Sequence, residues 1–202
     1  MKKIFAILLA IVLCFAGCSE EKIPEQAEFV PERGTVENGI YKNSAFEIGF
    51  EAGEDWYFLT DSEIATAMDV AAEEIFGEGA EITGDHIYDL YCVDNKTSAT
   101  VSINHEDIGT VAEFTDANYY LETVMTQLIS SGIENGVVDA IISNIEISGT
   151  KVPCLSIVLD YDGSSIYQKI IVKKTGSWMS TVTMASLSEE ELDSLVEKIF
   201  FE

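Results

Sequence analysis

The sequence is poor in the residues on which most enzyme mechanisms depend. Its 202 residues include only two histidines, His86 and His105, whereas a nucleophilic serine or cysteine usually needs a histidine beside it as a base. The chain has no G-x-S-x-G elbow, no C-x-x-C pair and no glycine-rich phosphate loop. The sequence therefore predicts a protein that is not an enzyme and that needs no cofactor.

Basic residues are also scarce. The chain has 11 Lys and Arg against 36 Asp and Glu, a net charge of −25. A field of this sign repels nucleic acid and favours cations or basic protein surfaces as partners. Many exported proteins are acidic only because the charge keeps them soluble. The charge therefore argues against a nucleic-acid partner, but an extracytoplasmic protein, a glycan and a cation all remain open as partners.

Long apolar runs are few, and one stands at the start of the chain. Residues 4–15 are apolar and follow Lys2 and Lys3, with the small residues Ala16 and Gly17 behind them. These 12 residues are too few for a permanent membrane helix, which needs roughly 20. The pattern is typical of a secretory signal over residues 1–17 that is removed. Removal of this segment takes away Lys2 and Lys3 and changes the net charge from −25 to −27.

The end of this segment, Phe15-Ala16-Gly17-Cys18, resembles the lipobox of bacterial lipoproteins. The resemblance implies that Cys18 is diacylated and becomes the new N-terminus. A single acyl chain gives only marginal, reversible membrane binding, whereas two chains hold a protein stably at the membrane. We therefore expect the chain to be anchored by lipid on the outer face of the cell membrane; a Gram-positive membrane and a Gram-negative outer membrane are both open.

A polar segment separates this anchor from the remainder of the chain. Residues 18–33 contain two of the three prolines and no sustained apolar period, which predicts a flexible stalk. Residues 34–202 then carry periodic apolar segments throughout. The sequence predicts one globular domain over residues 34–202.

The first half of this domain alternates strands with one helix. Residues 34–50 predict a hairpin that turns at Lys42-Asn43-Ser44, and Thr60 with Glu63 forms a capping box that opens a helix. Residues 86–93 and 97–104 predict an antiparallel strand pair. In the second of these strands the alternation predicts a wet face, made of Thr100, Ser102 and Asn104.

The second half begins with the strongest helical period, from Thr115 to Gly132. Four strand-like runs follow at residues 141–147, 152–161, 166–173 and 178–185, joined by short turns that predict a meander. Ser188 and Glu191 form a second capping box, and apolar spacing carries the last predicted helix through Phe200. The order predicts an α+β fold with an antiparallel sheet of about six to eight strands covered by two or three helices.

This arrangement resembles the PsbP-like proteins, which include an extrinsic subunit of photosystem II and many small bacterial lipoproteins. The resemblance rests on four features, listed in chain order: Tyr41-Lys42-Asn43 leading into residues 46–50, Trp56, the long central helix, and the closing meander with Trp178. It implies a PsbP-like fold and a role in binding or assembly, and it assigns no functional residue.

Two cysteines remain in the domain, Cys92 and Cys154, both inside apolar runs. Two interpretations are open. An exported location permits a disulfide between them, whereas the apolar runs favour two buried free thiols that pack as small hydrophobic groups. No spacing around either cysteine indicates a metal site.

Two segments were candidates for chemistry. His105-Glu106-Asp107 follows a predicted strand and could supply a metal ligand or an acid/base group from a loop, but we favour a surface histidine in an acidic loop, with a raised pKa. Asp160 and Asp162 begin like a calcium loop, but the sixth position is Ser165 and the twelfth is Ile171, so the loop pattern fails and Asp162-Gly163 predicts a hairpin turn. No metal ligands are assigned.

Three hypotheses for function follow. The favoured one is a membrane-anchored, extracytoplasmic, non-enzymatic binding or assembly module whose ligand is unknown. The first alternative is a divalent-cation-binding surface protein, motivated by Asp160, Asp162 and the Glu106-Asp107 pair. The second is a carboxylate-based hydrolase, which has only the number of acids in its favour.

Overall fold

The computed structural model describes residues 29–68, 86–130, 136–161 and 163–202. It confirms the α+β prediction, with two antiparallel sheets and, in this part of the chain, three α-helices. The small sheet has the order β1-β2-β3-β11 and the large sheet β4-β5-β6-β10-β9-β8-β7. The strands are β1 (Thr35–Glu37), β2 (Ile40–Asn43), β3 (Ile48–Glu51), β4 (Trp56–Phe58), β5 (His86–Asp94), β6 (Thr100–Asp107), β7 (Val137–Ile147), β8 (Thr150–Tyr161), β9 (Ser164–Thr175), β10 (Trp178–Ser186) and β11 (Ile199–Phe201).

Parts of the N-terminal predictions lie outside the described residues. The signal segment and Cys18 are among them, as are most of the stalk and the end of the predicted first helix. In the described part of the chain, no helix is long and apolar enough to cross a membrane.

The small sheet begins with two successive hairpins. Asn38 and Gly39, with φ of 52° and 75°, form the tight turn between β1 and β2, a conformation that asparagine and glycine adopt most readily. The predicted hairpin between β2 and β3 is present, but its turn lies at residues 44–47, slightly later than predicted, because Lys42 and Asn43 still pair with β3.

The C-terminal segment differs from its prediction. The last helix ends at Val196, and Ile199–Phe201 forms β11, which pairs antiparallel with β3. The helical spacing of apolar residues was therefore misleading beyond residue 196. Gly49 allows this pairing, because the Phe200 ring lies over it and a Cβ at position 49 would come within 2.0 Å of a ring carbon.

The large sheet contains the predicted meander, with longer strands than the sequence indicates. β7, β8, β9 and β10 follow one another in space as in the chain, and Gly149, Gly163 and Gly176 occupy the turns with positive φ. Within the described residues, the ladder between β8 and β9 begins at Cys154, one residue after Pro153. A proline has no N–H to donate, so it belongs where pairing stops.

The α-helices are α1 (Asp61–Met68), α2 (Ala117–Ser130) and α3 (Glu189–Val196), and a 3-10 helix spans Gly109–Glu113. Of the first capping box one bond is present, since the Thr60 amide donates to Glu63 Oε2 at 2.8 Å, whereas the Glu63 amide donates to the Thr60 carbonyl oxygen and not to its hydroxyl. The second forms only in part. The Glu191 amide donates to Ser188 Oγ at 3.3 Å, whereas the Glu191 carboxylate accepts from the Ser186 hydroxyl.

Both faces of the large sheet are covered. One face packs against the small sheet and α3, and the other packs against α2. The predicted wet face of β6 is therefore wrong, because Thr100, Ser102 and Asn104 are all buried. Alternation shows which residues share a face, but it does not show whether a helix covers that face.

Candidate functional site

The site begins with an irregularity in β5. In the pairing of β5 with β6, Tyr88 lies opposite Asn104 and Leu90 lies opposite Ile103, so Asp89 is an extra residue in a β-bulge. A bulge re-aims a side chain relative to regular alternation. The Asp89 side chain is 0% exposed and lies on the face that packs against the small sheet.

Four groups hold the Asp89 carboxylate. Oδ1 accepts the Gly34 amide at 2.8 Å, and Oδ2 accepts the Tyr41 hydroxyl and the Asn43 amide, the latter at 2.6 Å. His105 Nε2 lies 3.0 Å from Oδ2. Burial alone would raise the pKa of Asp89, but the hydrogen bonds and the His105 interaction outweigh it and leave that pKa below its ordinary value. The carboxylate is therefore ionised at neutral pH.

His105 is the centre of this arrangement. It lies directly opposite Ser180 of β10 in the strand register, and its Nδ1 is 2.8 Å from Ser180 Oγ. Its ring stacks on Phe46, with centroids 3.6 Å apart and planes 5° apart. Burial lowers the pKa of His105, against the opposing effect of Asp89. A neutral imidazole then donates Nε2–H to Asp89 and accepts the Ser180 hydroxyl at Nδ1.

This geometry corrects the prediction for His105. The sequence predicts an acidic surface loop and a raised pKa for His105, but the residue lies within β6 at 0% exposure, and burial lowers its pKa. β6 continues to Asp107 because β10 pairs with it up to that residue, where Asp107 lies opposite Trp178. The other histidine, His86, is half-buried at the start of β5, with Nε2 3.6 Å from Glu106 Oε1.

Ser180, His105 and Asp89 bring together the groups of a nucleophile, base and acid. Their side chains are nevertheless sealed inside the protein, since Ser180 and His105 are each 0% exposed. Phe46 covers the imidazole, and Trp178 packs against Phe46 at 5.7 Å between ring centroids. A nucleophile must be able to touch its substrate, and this serine faces only protein.

The chemical role of the network is to join the two sheets. Tyr41 and Asn43 belong to β2 of the small sheet, whereas Asp89, His105 and Ser180 belong to three strands of the large sheet. Arg33 lies at the rim, with Nε 3.9 Å from Asp89 Oδ1 and Nη1 bonded to Asp61 at 3.0 Å. A buried carboxylate is costly unless it is hydrogen-bonded, so these residues must come together for the sheets to dock.

A second buried acid lies on the opposite face of the large sheet. Glu106 is 8% exposed and accepts the Tyr120 hydroxyl of α2 at 2.7 Å. Burial and the neighbouring carboxylate raise the pKa of Tyr120, which therefore stays protonated and donates. Glu106 thus fixes α2 to the sheet. The alternative that Glu106 and Asp107 bind a cation is not supported by this geometry, because the Glu106 carboxylate is buried and accepts a hydrogen bond from Tyr120.

The remaining predicted site residues are dispersed. Asp160 is exposed on β8 and accepts the amide of Gly163 at 3.0 Å, which confirms the hairpin turn; Asp162 lies outside the described residues. Within the described ranges, no group of three or more His, Cys, Asp or Glu could hold a metal ion.

Cys92 and Cys154 are buried free thiols. They lie on β5 and β8, with β6, β10 and β9 between those strands, and neighbouring strands are about 4.8 Å apart. The distance across the sheet exceeds the reach of a disulfide, which requires Cα atoms within about 7 Å. The disulfide interpretation is therefore wrong in this structure. Burial raises the pKa of both thiols.

Sequence reasoning missed Asp89, Tyr41, Asn43 and Ser180 as members of one site. One signal was available, because Asp89 is an acid in the middle of the otherwise apolar strand segment Ile87–Cys92. An acid at such a position requires buried partners. The identity of those partners depends on the pairing of strands far apart in the chain, which local patterns do not supply.

Comparison with solved structures identifies the fold of the chain. No protein-family model matches the chain, and no curated protein matches it by sequence. The solution structure of cyanobacterial PsbP (CyanoP) from Synechocystis sp. PCC 6803 is similar to it, with a TM-score of 0.50 and 10% identity over 81% of this chain and 91% of that one. The chain therefore has a PsbP-like fold.

Two further structures are more distant. A crystal structure of a Bacteroides thetaiotaomicron protein has a TM-score of 0.44 and 8% identity, over 86% of this chain and 49% of that one. LpqN from Mycobacterium tuberculosis, described as involved in cell envelope biogenesis, has a TM-score of 0.43 and 12% identity over 76% and 82% of the two chains.

Proposed function

We propose that this protein is a lipid-anchored, extracytoplasmic module that binds or assembles with another envelope component and does not catalyse a reaction. The observation that carries the proposal is the burial of the Ser180, His105 and Asp89 side chains. This buried grouping is linked to the small sheet through Tyr41 and Asn43, which donate to Asp89. The N-terminal pattern that ends at Cys18 supports the location.

Surface composition supports a binding role. Phe114 is 84% exposed, and Val111 and Tyr119 near it in the chain are 55% and 59% exposed. The turn that carries Phe114 is held in place, because Lys174 Nζ donates to the carbonyl oxygens of Ala112 and Thr115. An exposed aromatic side chain on a fixed turn is a typical contact residue of protein interfaces.

The anchor is tested with the full chain expressed in a lipoprotein-processing bacterium. Wild-type protein should fractionate with membranes and incorporate labelled palmitate, because Cys18 carries the acyl chains. Cys18→Ala should incorporate no label and should lose most of its membrane association. Cys154→Ala is the control, since that thiol is buried. Equal membrane association of Cys18→Ala and wild type would contradict the lipid anchor.

Binding is tested by crosslinking in intact cells followed by affinity capture of the full chain. We expect one or more envelope components to copurify with wild type and less of them with Phe114→Ala. Glu113→Ala, one residue earlier on the same exposed turn, is the matched control. If wild type captures no envelope protein, peptide or glycan, the binding role is wrong.

A further inference from the structure

Among the residues that the structure describes, β7 is the outermost strand on one side of the large sheet. β7 has 11 residues, Val137–Ile147, and in the described part of the chain it pairs only with β8. The opposite edge of the sheet is β4, which has three residues. A long strand with one unpaired side is the arrangement to which a further strand adds.

The turn after β7 determines which backbone groups are open. Ser148 and Gly149 have φ of 50° and 78° and form a two-residue hairpin turn. The residues that flank such a turn, Ile147 and Thr150, exchange hydrogen bonds, and along the ladder hydrogen-bonded pairs alternate with pairs that are not.

The alternation of hydrogen-bonded and non-hydrogen-bonded pairs identifies the residues of β7 whose N–H and C=O groups point away from β8. It makes Asn144 and Pro153 a pair without mutual hydrogen bonds, which agrees with the missing N–H of proline. Every second residue of β7 therefore directs its N–H and C=O away from β8, and none of these groups has a hydrogen-bond partner among the described residues. The residues are Ala140, Ile142, Asn144 and Glu146.

Apolar side chains lie exposed beside this edge. Val138 is 67% exposed and Ile141 is 54% exposed. Ile129, on the helix α2 that packs over β7, is 49% exposed. β7 contains no Lys, Arg or Pro, the residues that commonly protect edge strands from pairing. Its only charged residues are Asp139 and Glu146.

We propose that the β7 edge binds an extended, basic segment of a partner protein, which adds to the large sheet as its eighth strand. The inference rests on the proposed binding function and deepens it by naming a second contact surface, in addition to the turn of Phe114, and the partner's chemistry. Only an extended backbone pairs with four outward residues at this spacing. The net charge of −25 and the two acids of β7 favour Lys and Arg in that segment and disfavour a second copy of this chain.

The experiment measures peptide binding to the full chain, purified in detergent. Fluorescein-labelled peptides of about 11 residues, the length of β7, alternate Val or Ile with Lys, and a matched set carries Glu in place of Lys. Asn144→Pro removes one outward N–H without touching the bonds to β8, and Asn144→Ala keeps that N–H. Circular dichroism and the melting temperature check that both variants are folded.

We expect the Lys peptides to bind wild type and Asn144→Ala equally, and Asn144→Pro about tenfold more weakly, since an added strand loses a backbone hydrogen bond and meets the proline ring. Ile141→Lys, a second variant that leaves the backbone intact, should also weaken the Lys peptides because it removes an apolar contact and adds a like charge.

Any one of four results would overturn the inference. The first is equal binding of the Lys peptides to Asn144→Pro and Asn144→Ala, or no binding at all. The second is equal affinity for the Glu peptides. The third is a dimer in sedimentation that Asn144→Pro dissociates, which would assign the edge to a second copy. If Asn144→Pro still captures the wild-type envelope partner, the edge is not the site, although the binding function stands.

Discussion

Asp89 and His105 lie 3.0 Å apart, Oδ2 to Nε2, at a point where neither side chain is exposed to solvent. A β-bulge turns the aspartate inward, and a regular strand position supplies the histidine. The pair is completed by Tyr41 and Asn43 from the other sheet. The docking of the two sheets therefore depends on one buried charge and its donors, and this dependence can be measured.

Replacement of Asp89 should be costly. Asp89→Asn removes the acceptor charge and turns an N–H₂ group towards two donors, the Gly34 amide and Asn43 Nδ2. We expect the free energy of unfolding to fall by about 3 kcal/mol. Urea unfolding measures it, with Asp139→Asn on the exposed face of β7 as control, expected within about 0.5 kcal/mol of wild type. Equal stability of the two variants would contradict the role of Asp89.

Stability should fall in mild acid because of His105. Its pKa lies below the ordinary value of 6.5, since burial disfavours the charged ring. As the pH falls below about 6.5, the unfolded chain takes up a proton on this residue that the native state does not, so the free energy of unfolding decreases. The contribution is at most about 1.4 kcal/mol per pH unit.

The measurement is urea unfolding at several pH values between neutral and mildly acidic. His105→Gln should be less stable than wild type at neutral pH and should lose less on acidification. His86→Gln, at a half-buried histidine outside the network, is the matched control. Asp89 adds a second loss at lower pH, because its depressed pKa stabilises the fold only while the unfolded carboxylate is ionised. An unchanged slope in His105→Gln would be evidence against a neutral buried imidazole.

The contact of β11 with β3 predicts a steric effect at Gly49. A methyl group there would meet the Phe200 ring, whose nearest carbon is 2.0 Å from the Cβ position. Gly49→Ala should lower the free energy of unfolding by about 1–3 kcal/mol. Phe200→Leu, combined with Gly49→Ala, should restore part of the loss, so the two changes should be non-additive in a double-mutant cycle. Strict additivity would mean that Phe200 does not lie over Gly49.

The two domain cysteines should stay reduced and unreactive. Burial raises the pKa of both thiols, which keeps the nucleophilic thiolate scarce at neutral pH. A maleimide reagent should label neither Cys92 nor Cys154 in the folded protein and both in denaturant. Intact mass after air oxidation should show no loss of two hydrogens. Rapid labelling of the native protein, or a bridge in the mass spectrum, would contradict the free buried thiols.

Local patterns predicted most of the regular structure. The meander, the central helix and the capping box at Thr60 are local features, because a turn or a helix face is defined by residues a few positions apart. Prediction failed where two distant segments meet. Phe200 continues a helical apolar pattern, yet it pairs with β3, and Ser102 alternates like a wet position, yet it is buried.

By itself, the sequence determined the composition, the charge, the α+β order of elements and the signal pattern that ends at Cys18, since each depends only on neighbouring residues or on totals. The tertiary structure alone decided that His105 is buried between Asp89 and Ser180, that the cysteines lie too far apart to bridge, and that β7 is left at an edge. Those outcomes depend on which strands become neighbours. Strand order is set by burying surfaces from the whole chain at once, so no local pattern contains it.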